Sequence, residues 1–198
     1  MATGSAKIEQ GEATREKLIE VGRELFIEKG FAGASTEEIV QRASVTRGAL
    51  YHHFSDKKDL FRAVHEQVEA EITAGIGEVM ATVDGDASDA LATGAMTFLE
   101  ICTDPKISRI GLVDAPSVLG WQEWREVDLR YGLGLVVAAL ELGMETGVFR
   151  VQPALPVAHL LIGALTEAGL IIANAEDSEA ARAGIEPPLL AMLDALRA

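Results

Sequence analysis

Between Leu18 and Ile72 apolar residues recur every three or four positions, and helix-stopping and helix-starting residues cut the run at short intervals. This pattern dictates several short helices in quick succession. Leu18, Val21, Gly22, Leu25 and Phe26 share one helical face from about Thr14 to Lys29, with Arg15, Glu16, Glu20, Arg23, Glu24 and Glu28 opposite. Gly30 follows where a left-handed C-cap is needed. Ser35-Thr36-Glu37-Glu38 has the form of a capping box, in which the Ser35 hydroxyl accepts from the Glu38 N–H and the Glu38 side chain reaches back. Ile39, Val40 and Ala43 give the second helix its apolar face. After a turn at Ser44-Val45, Thr46 caps a third helix through about His53. Ser55 is expected to cap a fourth, whose Leu60, Phe61, Val64, Val68 and Ile72 carry it towards residue 80. Residues 1–13 are polar and are expected to form a flexible tail.

The periodicity continues to the C-terminus without a convincing strand. Helices are expected at about 87–102, 106–119 (in one or two pieces, since Pro116 is tolerable only near a helix start), 121–146, 156–174 and 179–198, the last broken or started near Pro187-Pro188. Apolar residues make up 48% of the 198 and aromatics only 5%, which favours packed helices over a sheet. The fold class expected is all-α: a helix-turn-helix unit at 14–62, joined by a long helix to a second helical domain at 63–198.

Two short helices joined by a tight turn and braced by a longer one form a helix-turn-helix if the second can enter a major groove. That requires an apolar face for docking and polar residues at the N-terminal end. Ala49, Leu50 and Phe54 supply the first; Thr46, Arg47, Tyr51 and His52 supply the second. Arg47 can pair bidentately with a guanine edge, although a solvated surface arginine is the alternative. Gly48 is a poor helix former, explained by close approach to DNA or by packing. Tyr51 and His52 can donate to phosphates or simply cover the interior. Lys57 opposes the dipole of its own helix, which makes sense beside a phosphate, and Thr36 can serve the same end.

The net charge of −14 argues against a polyanionic partner until its distribution is considered. Residues 14–62 hold nine Lys/Arg and eight Asp/Glu, whereas residues 63–198 hold seven and twenty-one. The acidity lies almost wholly outside the helix-turn-helix, so only that unit is suited to face DNA.

Leu25-Phe26, Gly30-Phe31, Ser35-Thr36-Glu37-Glu38-Ile39, Val45 through Phe54 and Lys57-Lys58-Asp59-Leu60-Phe61 together resemble the TetR (tetracycline-repressor) family over about sixty residues, with no visible gap. The resemblance implies that Tyr51, His53 and Phe54 end the recognition helix, that Lys57 contacts the operator backbone, and that Thr46, Arg47 and Tyr51 touch DNA. It also implies a C-terminal helical domain that dimerises and often binds a small inducer, with repression the usual outcome. Leu133, Leu135, Val136, Ala139 and Leu140, with Leu160, Leu161, Ala164, Leu165, Ala168 and Ile171, fit such an interface, and fit core packing equally.

For an apolar or amphipathic inducer the candidate contacts are Phe98, Cys102, Trp121, Trp124, Tyr131 and His159. Taken singly, each is also explained by packing. No cofactor is expected, and no catalytic constellation nominates an enzyme. His65 and Glu69, four apart, could ligate a metal, but a solvated ion pair is the favoured reading. The single cysteine permits no intramolecular disulfide. No signal-peptide core occupies the N-terminus, and the apolar stretch from Pro153 to Ala175, interrupted by His159 and Glu167, reads as a bundle helix rather than a membrane span. The expectation is a cytoplasmic, homodimeric regulator of double-stranded operator DNA. The alternative is an acidic helical binding protein or enzyme whose helix-turn-helix is purely structural.

Overall fold

The computed structural model describes residues 2–198, with side chains from Gln10 onward. Its helices are α1 (Ala2–Gly33), α2 (Thr36–Arg42), α3 (Arg47–His53), α4 (Lys57–Ala81), α5 (Ala87–Thr103), α6 (Pro105–Ser108), a π-helical turn (Arg109–Asp114), α7 (Ala115–Leu119), α8 (Trp121–Glu145), α9 (Ala154–Asn174) and α10 (Ser178–Asp194). The only β pairing among the described residues is an isolated bridge between Phe149 and Arg197. The all-α expectation holds.

Several local expectations are corrected. Helix α1 runs back to Ala2, well before the expected start at Thr14. Gly30 has the expected positive φ of 72°, but its ψ of 171° makes a kink, after which Phe31–Gly33 add a further turn. Ser35 does cap α2 by accepting from Glu38 N. The Glu38 carboxylate, however, turns away to Lys29 at 2.7 Å and to Arg42 at 3.2 Å, because two cations outbid one backbone N–H. Helix α4 is capped by Asp56, whose carboxylate accepts from Asp59 N, and not by Ser55. Helix α10 runs from Ser178 to Asp194 straight through Pro187 and Pro188, where a break or start was expected, and the π-helical turn left no periodicity signal.

Two apolar cores meet along α4. In the first, Leu18, Leu25 and Phe26 of α1 pack with Ile39, Leu50, Phe54, Leu60 and Phe61, all fully or almost fully buried. Phe26, Phe31 and Phe61 form a ring cluster with centroid distances of 5.1–5.9 Å. Ile110, Ala115, Leu119 and Trp124 also belong to this core, so residues C-terminal to 62 complete it. The second core joins α5, α8, α9 and α10 through Leu99, Leu140, Ala158, Ile172, Leu189 and Leu193. Leu112 of the π-helical turn packs against both.

That turn also ties the cores together by polar contacts. Asp114 Oδ2 accepts from Phe31 N at 2.9 Å, and Trp124 Nε1 donates to Gly111 O at 3.0 Å. The Arg109 guanidinium lies over Gly30, where an added Cβ would stand 2.6 Å from Nη2. Gly30→Ala therefore meets two obstacles, a positive φ and the arginine. The expected result is a loss of about 1–3 kcal/mol in a denaturant titration.

Candidate functional site: a helix-turn-helix face and a buried cavity

Helix α3 docks by one side only. Leu50 is fully buried, Phe54 is 3% exposed, and Thr46 caps the helix by accepting from Ala49 N at 3.1 Å. On the other side Arg47, Gly48, Tyr51 and His52 are all exposed. Arg47 stacks over the Tyr51 ring at 5.5 Å and lies 3.4 Å from Glu37, with two-thirds of its side chain in water. Exposed pairs of this kind contribute about 0–1 kcal/mol, so the guanidinium can swing to another partner. Gly48 has negative φ, and an added Cβ would meet nothing nearer than Thr46 Oγ1 at 3.8 Å. Neither backbone conformation nor internal packing asks for glycine there. Thr36, at the start of α2, is half-buried and donates to Glu37 Oε2.

Lys57 is placed differently from expectation. Its ammonium donates to Phe31 O at 2.7 Å and Ala34 O at 2.8 Å and sits 4.2 Å above the Phe31 ring. Burial pushes its pKa down. Lysine at this position therefore satisfies carbonyls at the end of α1, leaving one N–H for an outside acceptor. The cation that looked misplaced against its own helix dipole is matched to another helix's C-terminus.

The six expected ligand contacts do not come together. Trp124 is buried in the first core with its N–H bonded to Gly111, whereas Trp121 is 64% exposed, its ring edge-on to Trp124. Tyr131 lines a surface groove against α1 and α4, and His159 is exposed on α9. Cys102 is buried, its thiol pushed up to about 12 by burial and by the Glu69 charge. Only Phe98 reaches the interior cavity. Residues three apart, such as Trp121 and Trp124, diverge when one faces the core and the other lies at its rim.

The cavity, about 80 Å³, lies between α4, α5, α8, α9 and α10. Ile76, Met80, Phe98, Leu135, Leu165 and Leu189 give it apolar walls, and Glu69, Thr73, Asp128 and Thr166 are the polar residues among its lining. Asp128 forms an ion pair with Arg125 and accepts from Thr166 Oγ1 at 3.2 Å; burial raises its pKa and the arginine opposes the rise. His65 and Glu69 are not a solvated pair. His65 is fully buried, neither ring nitrogen has a hydrogen-bond partner among the described residues, and desolvation lowers its pKa to about 4. Its Nδ1 stands 3.8 Å from Glu69 Oε1, beyond hydrogen-bond range. Desolvation, with the Asp128 charge, pushes Glu69 up to about 8. No group of three potential metal ligands occurs among the described residues.

One signal could have identified these acids in advance. Glu69 precedes Ile72 and Ile76 by three and seven residues, and Asp128 follows Trp124 by four. A carboxylate on an otherwise inward-facing helical stripe is costly to bury and needs a reason.

Two outcomes follow. Between the unfolded value near 4.5 and the folded value near 8, the folded chain holds a proton on Glu69 that the unfolded chain has released, so stability falls as pH rises through this window. Glu69→Gln should gain on wild type from pH 4.5 to pH 8, levelling at about 2–4 kcal/mol in parallel denaturant titrations. His65 acts at the acid end, costing stability as pH falls from 6.5 towards 4, but it does so in both proteins. Lys57→Met should cost about 1–3 kcal/mol by leaving the Phe31 and Ala34 carbonyls short of a donor.

The two parts of the chain match separate family descriptions. Residues 18–64 match "Bacterial regulatory proteins, tetR family", and residues 88–196 match "Tetracyclin repressor-like, C-terminal domain". The chain is 33% identical over 130 residues to the Transposon Tn10 TetC protein of Escherichia coli, covering 66% of this chain and 65% of that protein. It is 30% identical over 113 residues to the HTH-type transcriptional repressor AcnR of Corynebacterium glutamicum, covering 54% and 60%. These curated relatives are thus matched over less than two-thirds of their length. A TetR-family transcriptional regulator from Pectobacterium atrosepticum superposes over 96% of both chains, with a TM-score of 0.87 and 33% identity. RolR, solved with resorcinol, shares the fold at 20% identity and a TM-score of 0.72, covering 96% of this chain and 95% of RolR. The chain belongs to the TetR family of bacterial transcriptional regulators.

Proposed function

We propose that this protein is a cytoplasmic DNA-binding transcriptional regulator, a repressor, that binds a palindromic operator as a homodimer and is released by a small-molecule inducer held in the helical domain. The observation that carries the DNA-binding part is the free face of α3, where Arg47, Gly48, Tyr51 and His52 are exposed and take no part in docking. Thr36, Thr46 and the remaining N–H of Lys57 would flank that face on the phosphate backbone. Gly48 supports the same reading, since an external surface approaching the helix is the one demand on it that the fold does not already meet. Its family is one of transcriptional regulators and not of enzymes.

For the dimer, the support is an apolar stripe that the single chain leaves open. On α9 Leu155, Leu160 and Ile171 are 53%, 75% and 49% exposed, and on α10 Leu190 and Met192 are 39% and 52% exposed. Gly163 lies on the open side of α9 with nothing within 4 Å of an added Cβ, which permits close approach of a second helix. Val136, Ala139 and Leu140 of α8 are buried within the subunit and Leu135 lines the cavity, so α9 with α10 replaces α8 with α9 as the proposed pair. Helix α9 is long and apolar enough to cross a membrane. Its Ala158, Leu161, Ile162, Ala168 and Ile172, however, are buried in the bundle, and a second copy would cover the rest.

Selection from a random duplex library should recover a palindrome with wild type. Arg47→Ala should lose preference at one position in each half-site, about 1–3 kcal/mol per base pair, without loss of folding. Gly48→Leu should be a sharper test, because the fold accommodates the side chain and helix propensity improves, so thermal stability should hold or rise while operator binding collapses. Wild-type binding by both variants would remove α3 from the interface. Leu160→Glu should shift the sedimentation coefficient to that of a monomer; an unchanged dimer would place the interface elsewhere.

A further inference from the structure

The electrostatics of the cavity restrict what can occupy it. Two carboxylates, Glu69 and Asp128, line it, and no Lys, Arg or His does so among the described residues. Asp128 is already matched by Arg125, which reaches it from its own helix, α8. Glu69 is not matched. Its side chain is 17% exposed, and among the described residues its nearest basic group is the neutral His65 ring at 3.8 Å and no hydrogen bond supports its charged form. Without a partner Glu69 stays protonated at neutral pH, so a purely apolar occupant would leave a buried acid group unpaired, and an anion would face the Asp128 carboxylate and gain nothing from a neutral Glu69. A cation restores what desolvation removes. The wider field favours the same sign, since residues 63–198 carry twenty-one acidic against seven basic side chains.

We infer that the cavity binds a small amphipathic cation of the alkylammonium class. Its charged head sits beside Glu69 and Asp128, with the Thr73 and Thr166 hydroxyl oxygens able to accept its remaining N–H groups. Its hydrocarbon body lies against Ile76, Met80, Phe98 and Leu165. The inference rests on the helical domain being the inducer-binding part of the protein. It adds the sign of the charge and the end of the cavity that reads it.

Binding such a cation has a proton balance. Glu69 is faced by His65 from its own helix, by Asp128 with Arg125 from α8 and by the buried Cys102 thiol from α5, while α9 and α10 bring Thr166, Leu189 and Leu193. His65 titrates near 4 and Cys102 near 12, outside the neutral range. An ammonium ion arriving between pH 6 and pH 7 therefore displaces close to one proton from Glu69 to solvent, and about half of one at pH 8.

Calorimetry on the full chain with n-hexylamine, 1-hexanol and hexanoate tests this. Hexylammonium should bind at least tenfold more tightly than hexanol, and hexanoate should not bind. Amine affinity should rise between pH 6 and pH 8, and at pH 7 buffers of different ionisation heat should register about one proton released. Glu69→Gln should bring the amine down to the level of the alcohol and abolish the pH dependence while the protein stays folded. Asp128→Asn, with Glu69 intact, should retain that pH dependence. Equal affinity for amine and alcohol, preference for hexanoate, or no binding by any probe would overturn the inference. Operator retention by the amine-loaded protein is a separate readout: tight amine binding without DNA release would leave the ligand class standing and remove the induction mechanism.

Discussion

The joint on which the two halves of this molecule depend is the π-helical turn Arg109–Asp114. It packs Leu112 into both cores, accepts the Trp124 indole N–H at Gly111 O, and accepts the Phe31 N–H at the Asp114 carboxylate. A π turn widens the backbone ladder and is tolerated mainly where neighbouring contacts require its altered side-chain directions. Here it presents Ile110 to the first core and Arg109 to the kink at Gly30 from one short segment. The end of α1, which braces α2 and α3, is thus held from the C-terminal side of the chain.

This arrangement gives the proposed inducer response a physical medium. The cavity and the recognition helix share α4, which carries Glu69 on the cavity and Leu60, Phe61 and Val64 in the first core. Gly111 lies against the Glu69 carboxylate, 3.5 Å from where its Cβ would stand, so an occupant that engages Glu69 acts next to the joint. A ligand moves the equilibrium only by its differential affinity for two arrangements of these contacts, and a few kcal/mol suffices. The ion pairs of Lys58 and Arg62 with Glu123 and of Arg130 with Glu66 run beside this route between α4 and α8. They are partly exposed, which makes them weak enough to exchange partners.

The helix-turn-helix was legible because its determinants are local. Thr46 caps α3 through a bond to Ala49 N three residues on, and the apolar spacing that turns Leu50 inward repeats every three or four residues, so short-range pattern records both. The helical domain was legible as helices and much less as a site. Trp121, Trp124 and Tyr131 share one helix but face rim, core and groove, because orientation there depends on which other helix lies opposite. The internal partners of Lys57 were not legible for the same reason: Phe31 and Ala34 are 26 and 23 residues away, and only the folded kink brings their carbonyls to it. Glu69 was visible as a charge on an apolar stripe, yet its four-residue spacing from His65 suggested a surface pair. Burial of both reverses that meaning.

Hydroxyl-radical footprinting of the protein on its selected duplex tests the central claim most directly, that two copies present the free faces of two α3 helices to DNA. Two protected patches on one side of the duplex, about 10 base pairs apart centre to centre and related by the palindrome's dyad, are the predicted result. A single patch, or protection that follows no dyad, would contradict a dimeric reader built on this helix.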